Sequence, residues 1–179
     1  MDGSRLIVVS GLPGVGKTTL ADGLGSTLRA VRVSVDLVED ALLGAGLPAD
    51  WTTGVAAYEA ARAVAEENLA LGHTVVVDAV NDSSPARETW QRAAEATGAQ
   101  LITLLLVLAD LDEHRERLNG RDRGLAHVPE PDWTEVEARA RAFEPWEGQH
   151  AVLDTSAAPV DVLAAALAAL DPAEPPTAA

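Results

Sequence analysis

Short apolar runs alternate with longer amphipathic segments along the whole sequence. The runs consist mainly of valine, isoleucine and leucine. Continuous apolar runs of this length are typical of parallel strands that are covered on both faces. We therefore predict strands over residues 6–9, 31–35, 74–77, 101–108 and 151–153.

Between these runs the apolar residues recur every three or four positions, which is the spacing of a helix with one buried face. Leu20, Leu24 and Leu28 show it directly after the first run. Glycine, proline or a capping residue stands where the pattern breaks. Helices are predicted over about 17–29, 37–43 and 53–71, with Ala61, Val64, Ala65 and Leu69 on one face of the third. The next helix opens near Pro85 with Ala86, Trp90, Ala93 and Ala94 on one face, and further helices begin at Asp110 or Asp112, cover 133–143, and run through Val160, Leu163, Leu167 and Leu170.

Strands that alternate with helices form a parallel sheet with helices on both faces. The sequence therefore predicts a three-layer α/β fold with a five-stranded parallel sheet. Its 179 residues suit a single domain, which we place at residues 1–170, followed by a disordered tail over 171–179. Ligands collect at the carboxyl ends of such strands, and these ends carry Ser10, Asp36, Asp78 and Asp154.

The stretch GLPGVGKTT at residues 11–19 joins the first strand to the first helix. It matches the pattern GxxxxGK[ST], in which glycines let successive backbone N–H groups turn toward a phosphate. The start of the following helix adds its positive end to the same site. Lys17, the only lysine of the chain, can bridge the β- and γ-phosphates, and the Thr18 hydroxyl can bind Mg²⁺. A glycine turn without a ligand is the weaker reading, because all four fixed positions match. ATP and Mg²⁺ are the expected ligands.

Asp36 ends the second predicted strand, where the hydroxyl of an acceptor would lie opposite the γ-phosphate. As a general base it would take the proton of that hydroxyl or orient the group. Aspartate is also favoured at the N-cap, so Asp36 could instead cap the helix that begins at Leu37. We expect Glu39 and Asp40 to be solvated, with binding of a cationic substrate as the alternative.

Asp78 closes the third predicted strand, directly after three valines. An aspartate there resembles the Walker-B position, which holds Mg²⁺. Aspartates also end strands because they favour turns, and a substrate contact by Asp78 or Asn81 is a further alternative. Thr18 and Asp78 are the expected metal ligands.

Residues 119–132 contain two glycines, two prolines and two arginines but no apolar periodicity. We expect a mobile lid whose Arg121 and Arg123 bring positive charge to the transferring phosphate, while a surface arginine cluster is the alternative. Arg117 precedes the lid and ranks below them. The expected catalytic residues are Lys17, Asp36, Arg121 and Arg123. The expected nucleotide-binding residues are Gly11, Pro13, Gly14, Val15, Gly16, Lys17, Thr18, Thr19, Arg117 and Arg121.

Charge narrows the choice of acceptor. The net charge is −15 at pH 7, and an acidic surface repels nucleic-acid backbones. We therefore expect a small-molecule acceptor and not DNA or RNA.

The sequence also bears on where the protein is found. No apolar stretch is long enough to span a bilayer, no secretory signal precedes the first strand, and cysteine is absent. These features favour a cytoplasmic protein without a membrane partner, and they leave the oligomeric state open.

Five stretches of the sequence resemble one group of proteins: GLPGVGKTT at 11–19, VSVDLVEDAL at 33–42, LALGHTVVVDAVN at 69–81, RERLNGRDRG at 115–124, and FEPWEG with VLDTS within 143–156. They resemble the small P-loop kinases, in particular the group of AAA-type ATP-binding domains. That group is similar to zeta-toxin kinases, polynucleotide 5′-hydroxyl kinases, chloramphenicol phosphotransferase and gluconate or shikimate kinases. The resemblance implies a fold like that of nucleoside monophosphate kinases, ATP and Mg²⁺ binding, Asp36 as the base and lid arginines on the phosphates.

One position departs from the polynucleotide kinases, which resemble Asp-Asp-x-Arg after the second strand. Here the stretch DLVE at 36–39 places Glu39 where the arginine would stand, which argues against a nucleic-acid acceptor. The leading hypothesis is a phosphotransferase that moves the γ-phosphate of ATP to the hydroxyl of a small molecule. The alternatives are a nucleoside, nucleotide or polynucleotide 5′-hydroxyl kinase and an ATP-hydrolysing regulatory switch.

Overall fold

A computed structural model describes residues 3–171 of the chain. Its five strands form one sheet in which every neighbouring pair is parallel, so the predicted sheet is confirmed. Their order across the sheet is β2-β3-β1-β4-β5. The strands are β1 (Arg5–Ser10), β2 (Val31–Ser34), β3 (Val75–Asp78), β4 (Gln100–Val107) and β5 (Ala151–Asp154).

The helices occur where the sequence predicts them, with ends that shift by a few residues. They are α1 (Lys17–Leu28), α2 (Val35–Gly44), α3 (Trp51–Ala70), α4 (Ser84–Thr97), α5 (Leu111–Asn119), α6 (Trp133–Ala142) and α7 (Pro159–Leu170). Within residues 3–171, none of them is long and apolar enough to cross a membrane. The predicted tail lies outside the described residues apart from Asp171, whose carboxylate pairs with Arg5 at 2.9 Å.

The central strand β1 supplies side chains to a separate core on each face of the sheet. Leu6 and Val8 pack with α3 and α4 on one face, whereas Ile7 and Val9 pack with α1 and α7 on the other. Successive residues of a strand point to opposite faces, so a continuous apolar run is what a sheet between two helical layers requires. The three-layer arrangement follows from this burial.

Helix α3 packs on the sheet through a stripe of small residues spaced four apart. Ala57, Ala61 and Ala65 are fully buried, and Leu69 is 2 % exposed. Val64, which we placed on this face, is 47 % exposed, so that assignment is wrong. With so many alanines in the helix, the sequence pattern does not single out the buried stripe.

Asn81 anchors the turn between β3 and α4 at the sheet edge that carries the phosphate loop. Its side chain is fully buried, donates to Ser10 Oγ at 2.8 Å and accepts from Trp90 Nε1 at 2.8 Å. Its backbone N–H donates to the Tyr58 hydroxyl at 3.2 Å. The side chain therefore links β1 to α4, and the substrate contact considered for Asn81 is wrong because its amide is used internally.

We expect Trp90→Phe to lower the free energy of unfolding by about 1–3 kcal/mol, because it leaves the buried Asn81 Oδ1 without its donor. Trp51→Phe is the matched control, since Trp51 is 81 % exposed and its replacement should change stability by less than about 0.5 kcal/mol. Urea denaturation measures both values. Equal stability of the two variants would show that the Trp90–Asn81 hydrogen bond contributes nothing.

Candidate active site

The backbone of the phosphate loop takes positive φ angles, which favour glycine, at all three of its glycines, including both glycines that the sequence pattern fixes. Gly11 has φ +139°, and a Cβ there would lie 2.6 Å from the carbonyl oxygen of Leu106. Gly16 has φ +98° and is the N-cap residue of α1. Because L side chains rarely adopt such angles, the glycines of the sequence pattern hold the loop against β4 and set the start of α1.

Lys17 lies beneath this loop with its side chain almost fully enclosed. It is 7 % exposed, and its Nζ donates to the carbonyl oxygen of Leu12 at 3.0 Å. Burial lowers the pKa of the ammonium group, and the nearby carboxylates of Asp78 and Asp36 oppose that shift. Among the described residues, no carboxylate forms an ion pair with Lys17. A charge buried in this way favours an anionic ligand.

The side chains of Thr18 and Asp78, the two residues predicted to bind metal, are hydrogen-bonded to each other. The Thr18 hydroxyl donates to Asp78 Oδ2 at 2.8 Å, and Arg32 approaches the same oxygen at 3.4 Å. Asp78 is 5 % exposed and is the last residue of β3. A hydroxyl and a carboxylate oxygen side by side are the hard ligands that Mg²⁺ takes together with phosphate oxygens. The donor set therefore fits Mg²⁺.

Asp36 lies in the first turn of α2 and not at the end of β2, which corrects the sequence-based placement. The strand stops at Ser34, and the Ser34 hydroxyl accepts from the Leu37 N–H at 3.5 Å. Ser34 is therefore the N-cap, and the capping alternative for Asp36 is wrong. The Asp36 carboxylate accepts a hydrogen bond from Arg123.

The loop 119–132 joins α5 to α6 and lies against α2 through charged contacts. Arg121 and Arg123 both pair with Glu130, at 2.6 Å and 2.7 Å, and Arg123 also pairs with Asp36. Although burial opposes it, hydrogen bonds from Arg123 and Arg121 hold the pKa of Glu130 below its usual value. The arginines assigned to phosphates are thus bound to carboxylates here, and mobility of the loop stays a prediction.

A second contact ties the same loop to α2. The Asp40 carboxylate accepts the backbone N–H groups of His127 and Val128 at 2.7 Å and 2.9 Å. The N–H groups of Val128 and His127 lower the pKa of Asp40 to about 2. The expectation that Asp40 is only solvated is therefore wrong, because it anchors the loop.

Arg117 lies on α5, away from the loop contacts. Its guanidinium pairs with Glu113 at 2.5 Å and donates to the carbonyl oxygen of Thr155 at 2.9 Å. Together with residues of α1, Thr155 and Pro159, it lines a small cavity. Arg117 therefore has different ion-pair partners from Arg121 and Arg123, although all three side chains line one cavity.

Two cavities meet at the carboxyl edge of the sheet. The larger, about 800 Å³, follows the phosphate loop and the start of α1, and the smaller, about 400 Å³, lies toward α2 and α6. Glu39, Asp50, Glu135 and Arg139 are among the residues that line the smaller cavity. The residues that line both are Lys17, Asp36, Arg121 and Arg123.

The residues predicted to bind nucleotide lie in three places: the interior, the smaller cavity and the larger cavity. Gly11 and Val15 turn inward: the Gly11 N–H donates to the carbonyl oxygen of Val80 at 3.2 Å, and Val15 is 2 % exposed in the core. Pro13 lines the smaller cavity. Those that line the larger cavity are Gly14, Gly16, Lys17, Thr18, Thr19, Arg117 and Arg121.

His114 is a polar residue beside the phosphate loop that the sequence did not reveal. It is 3 % exposed, and its Nε2 lies 2.7 Å from the carbonyl oxygen of Pro13. A single histidine in a charged helix gives no signal of such a contact, because the two partners are 101 residues apart.

Comparison with known proteins shows the family and the fold of the chain. No curated protein matches the sequence, but the profile of the AAA domain family matches residues 6–145. Among solved structures, a putative kinase from Chloroflexus aurantiacus superimposes with a TM-score of 0.73 at 22 % identity, over 96 % of this chain and 98 % of that one.

A gluconokinase from Sinorhizobium meliloti has a TM-score of 0.65 at 20 % identity, over 94 % of this chain and 91 % of that one. The Mycobacterium tuberculosis APS kinase, solved with AMPPNP and APS, has a TM-score of 0.72 at 16 % identity, over 96 % of this chain and 99 % of that one. These likenesses confirm the fold of the P-loop kinases. Since the family profile covers most of the sequence, the chain belongs to the AAA domain family.

Proposed function

We propose that this protein transfers the γ-phosphate of ATP to a hydroxyl group of a small molecule. The observation that carries the proposal is the meeting of two cavities at Lys17, Asp36, Arg121 and Arg123. A transferase needs a donor site and an acceptor site that open onto one point, with positive charge and a base there. The kinases among the structural neighbours support this reading of the fold.

The larger cavity is the donor site in this proposal. Backbone N–H groups of the phosphate loop and the start of α1 would bind the phosphates, with Lys17 between the β- and γ-phosphates. Thr18 and Asp78 would hold Mg²⁺, which when bound neutralises charge on the phosphate oxygens. A phosphate also gives the buried Lys17 ammonium the anionic partner that its surroundings favour.

The smaller cavity is the acceptor site. Its volume of about 400 Å³ lies in the range of small-molecule sites, roughly 300–1,000 Å³. Asp36 would take the proton of the acceptor hydroxyl while that oxygen forms a bond to the γ-phosphorus, and the bond to the bridging oxygen breaks to release ADP. The carboxylates of Glu39, Asp50 and Glu135 on the cavity wall disfavour a polyanionic acceptor such as a nucleic acid.

The loop 119–132 acts as a lid in this proposal. Arg121 and Arg123 must exchange Glu130 for phosphate oxygens, and Arg123 must also release Asp36 before that carboxylate can act as a base. Binding of nucleotide would therefore free the base and bring two guanidinium groups to the transferring phosphate in the same step.

A screen identifies the acceptor and tests the proposal. The protein is incubated with ATP, Mg²⁺ and pools of hydroxyl-bearing metabolites and nucleosides, and mass spectrometry detects a product heavier by one phosphoryl group. We expect at least one small neutral or cationic compound to be phosphorylated, with ADP formed in equal amount. ATP hydrolysis that no compound stimulates would instead support a regulatory switch.

We expect Lys17→Ala to abolish transfer and weaken the binding of AMPPNP, because the variant removes the cation between the phosphates. Calorimetry measures the affinity, and circular dichroism checks that the fold is intact. Arg141→Ala is the control for loss of one positive charge at an exposed position. Unchanged affinity together with unchanged turnover would refute the assignment of Lys17.

We expect Asp36→Asn to lower the rate of transfer by about 10²- to 10⁴-fold, the usual contribution of a general base. Binding of AMPPNP and Mg²⁺ should persist, since the carboxylate faces the acceptor. Asp112→Asn is the control, because the Asp112 side chain is 94 % exposed and it should keep the wild-type rate. A wild-type rate for Asp36→Asn would place the base elsewhere, with Asp78 as the next candidate.

We expect AMPPNP to slow amide hydrogen exchange across residues 119–132, because the lid orders over the phosphates. Arg121→Ala or Arg123→Ala should lower kcat by about 10²-fold, by analogy with the loss of a single donor to a transition state. Arg141→Ala serves again as the control for charge. Equal exchange with and without AMPPNP would contradict a lid.

A further inference from the structure

His114 connects α5 to the backbone of the phosphate loop through a buried hydrogen bond. Its ring is 3 % exposed, and Nε2 lies 2.7 Å from the carbonyl oxygen of Pro13. Because a carbonyl oxygen can only accept, Nε2 carries the proton and donates it. The bond therefore fixes both the position of the ring and its tautomer.

This hydrogen bond also orients the next backbone donor. The described chain contains no cis peptide bond, so the Pro13 carbonyl and the Gly14 N–H point in opposite directions from one peptide plane. Holding the carbonyl on His114 fixes the direction of the Gly14 N–H, one of the groups that a phosphate would need. A site for a charged ligand binds most strongly when its hydrogen-bond donors are oriented before the ligand arrives.

Packing at Gly14 restrains the loop further. A Cβ at Gly14 would lie 3.2 Å from His114 Cδ2 and 3.3 Å from Leu118 Cβ. Helix α5 thus touches the loop backbone itself, with two side chains one helical turn apart. Helix α5 and the phosphate loop are therefore in direct contact at Pro13 and Gly14.

His114 is also joined to the far end of the lid. The edge of its ring meets Trp133, with ring centroids 5.2 Å apart and an interplanar angle of 87°. Trp133 is the first residue of α6, and α5 ends at Asn119. Both elements that bound the lid therefore converge on this one histidine, which lies against the phosphate loop.

We propose that His114 is a positioning residue that sets the Pro13–Gly14 peptide for phosphate binding and couples the phosphate loop to the lid. The inference rests on the proposed binding of nucleotide, and it assigns His114 no part in the chemical step. Coupling is reciprocal: nucleotide on the loop stabilises the lid contacts through His114, and the same contacts strengthen nucleotide binding.

Two substitutions of His114 separate the hydrogen bond from the packing. His114→Phe keeps a ring against Trp133 but loses the donor, while His114→Gln keeps an N–H group near the position of Nε2. We expect His114→Phe to weaken the affinity for Mg²⁺ and AMPPNP by about tenfold, the usual effect of an unpaired buried acceptor. His114→Gln should retain affinity within about threefold, on the same scale.

Hydrogen exchange provides the readout that a structural role alone would not change. Protection of residues 119–132 upon addition of AMPPNP should be reduced in His114→Phe and retained in His114→Gln. Trp133→Leu removes the contact between His114 and the lid: it should reduce that protection and, because the coupling is reciprocal, also weaken the affinity, but by less than His114→Phe because the hydrogen bond to Pro13 remains. His73→Phe, at an exposed histidine before β3, is the control and should change neither value.

Several outcomes overturn the inference. They are wild-type affinity in His114→Phe, equal loss in His114→Phe and His114→Gln, and unchanged protection of the lid in both His114→Phe and Trp133→Leu. If His114→Phe does not fold, the inference is tested by comparing His114→Gln with Trp133→Leu. The two measurements are again the affinity for AMPPNP and the exchange protection of residues 119–132. Failure of the proposed function is distinct: a regulatory switch without an acceptor would still bind AMPPNP and would give the same affinities and protection, whereas a wild-type protein that does not bind AMPPNP would refute nucleotide binding itself.

Discussion

The buried ammonium group of Lys17 is the constraint on which the rest of the site depends. Its Nζ donates to the backbone carbonyl oxygen of Leu12, and the carboxylates of Asp78 and Asp36 act on it from separate elements. Burying a positive charge in this way costs free energy unless an anion lies next to it. The glycine path of the loop, the start of α1, the end of β3 and the start of α2 all lie around this one group. In our proposal a phosphate together with its Mg²⁺ is the ligand that satisfies them.

In our proposal, carboxylates and phosphates compete for the arginines on the other side of the site. Glu130 holds Arg121 and Arg123 together, and Arg123 also reaches Asp36, so the two guanidinium groups are already paired. In our proposal phosphate oxygens replace these partners, which links the arrival of nucleotide to the release of the base. Ion pairs that are partly exposed are weak enough to be exchanged in this way. Asp40 keeps the loop 119–132 attached to α2 by accepting hydrogen bonds from backbone N–H groups of the loop.

The sequence predicted the sheet and the phosphate loop well because both depend on local patterns. Apolar runs mark strands, and the GxxxxGK[ST] pattern specifies residue types at fixed spacing. The position of Asp36 was wrong because Ser34 is the cap and begins α2 two residues earlier than the pattern suggested. The roles of Asn81 and His114 were hidden because their partners, Ser10 and Pro13, lie 71 and 101 residues away in the chain. Such pairings follow from the packing of distant elements and leave no local periodicity.

A crystal structure of the protein with AMPPNP and Mg²⁺ tests the central claim most directly. The account predicts the γ-phosphate beside Lys17 where the two cavities meet, with Arg121 and Arg123 turned from Glu130 to phosphate oxygens. Thr18 and Asp78 should lie at the metal, and the Asp36 carboxylate should be released from Arg123 and face the smaller cavity. Phosphates bound away from Lys17, or an Asp36 carboxylate still held by Arg123 with nucleotide present, would contradict it.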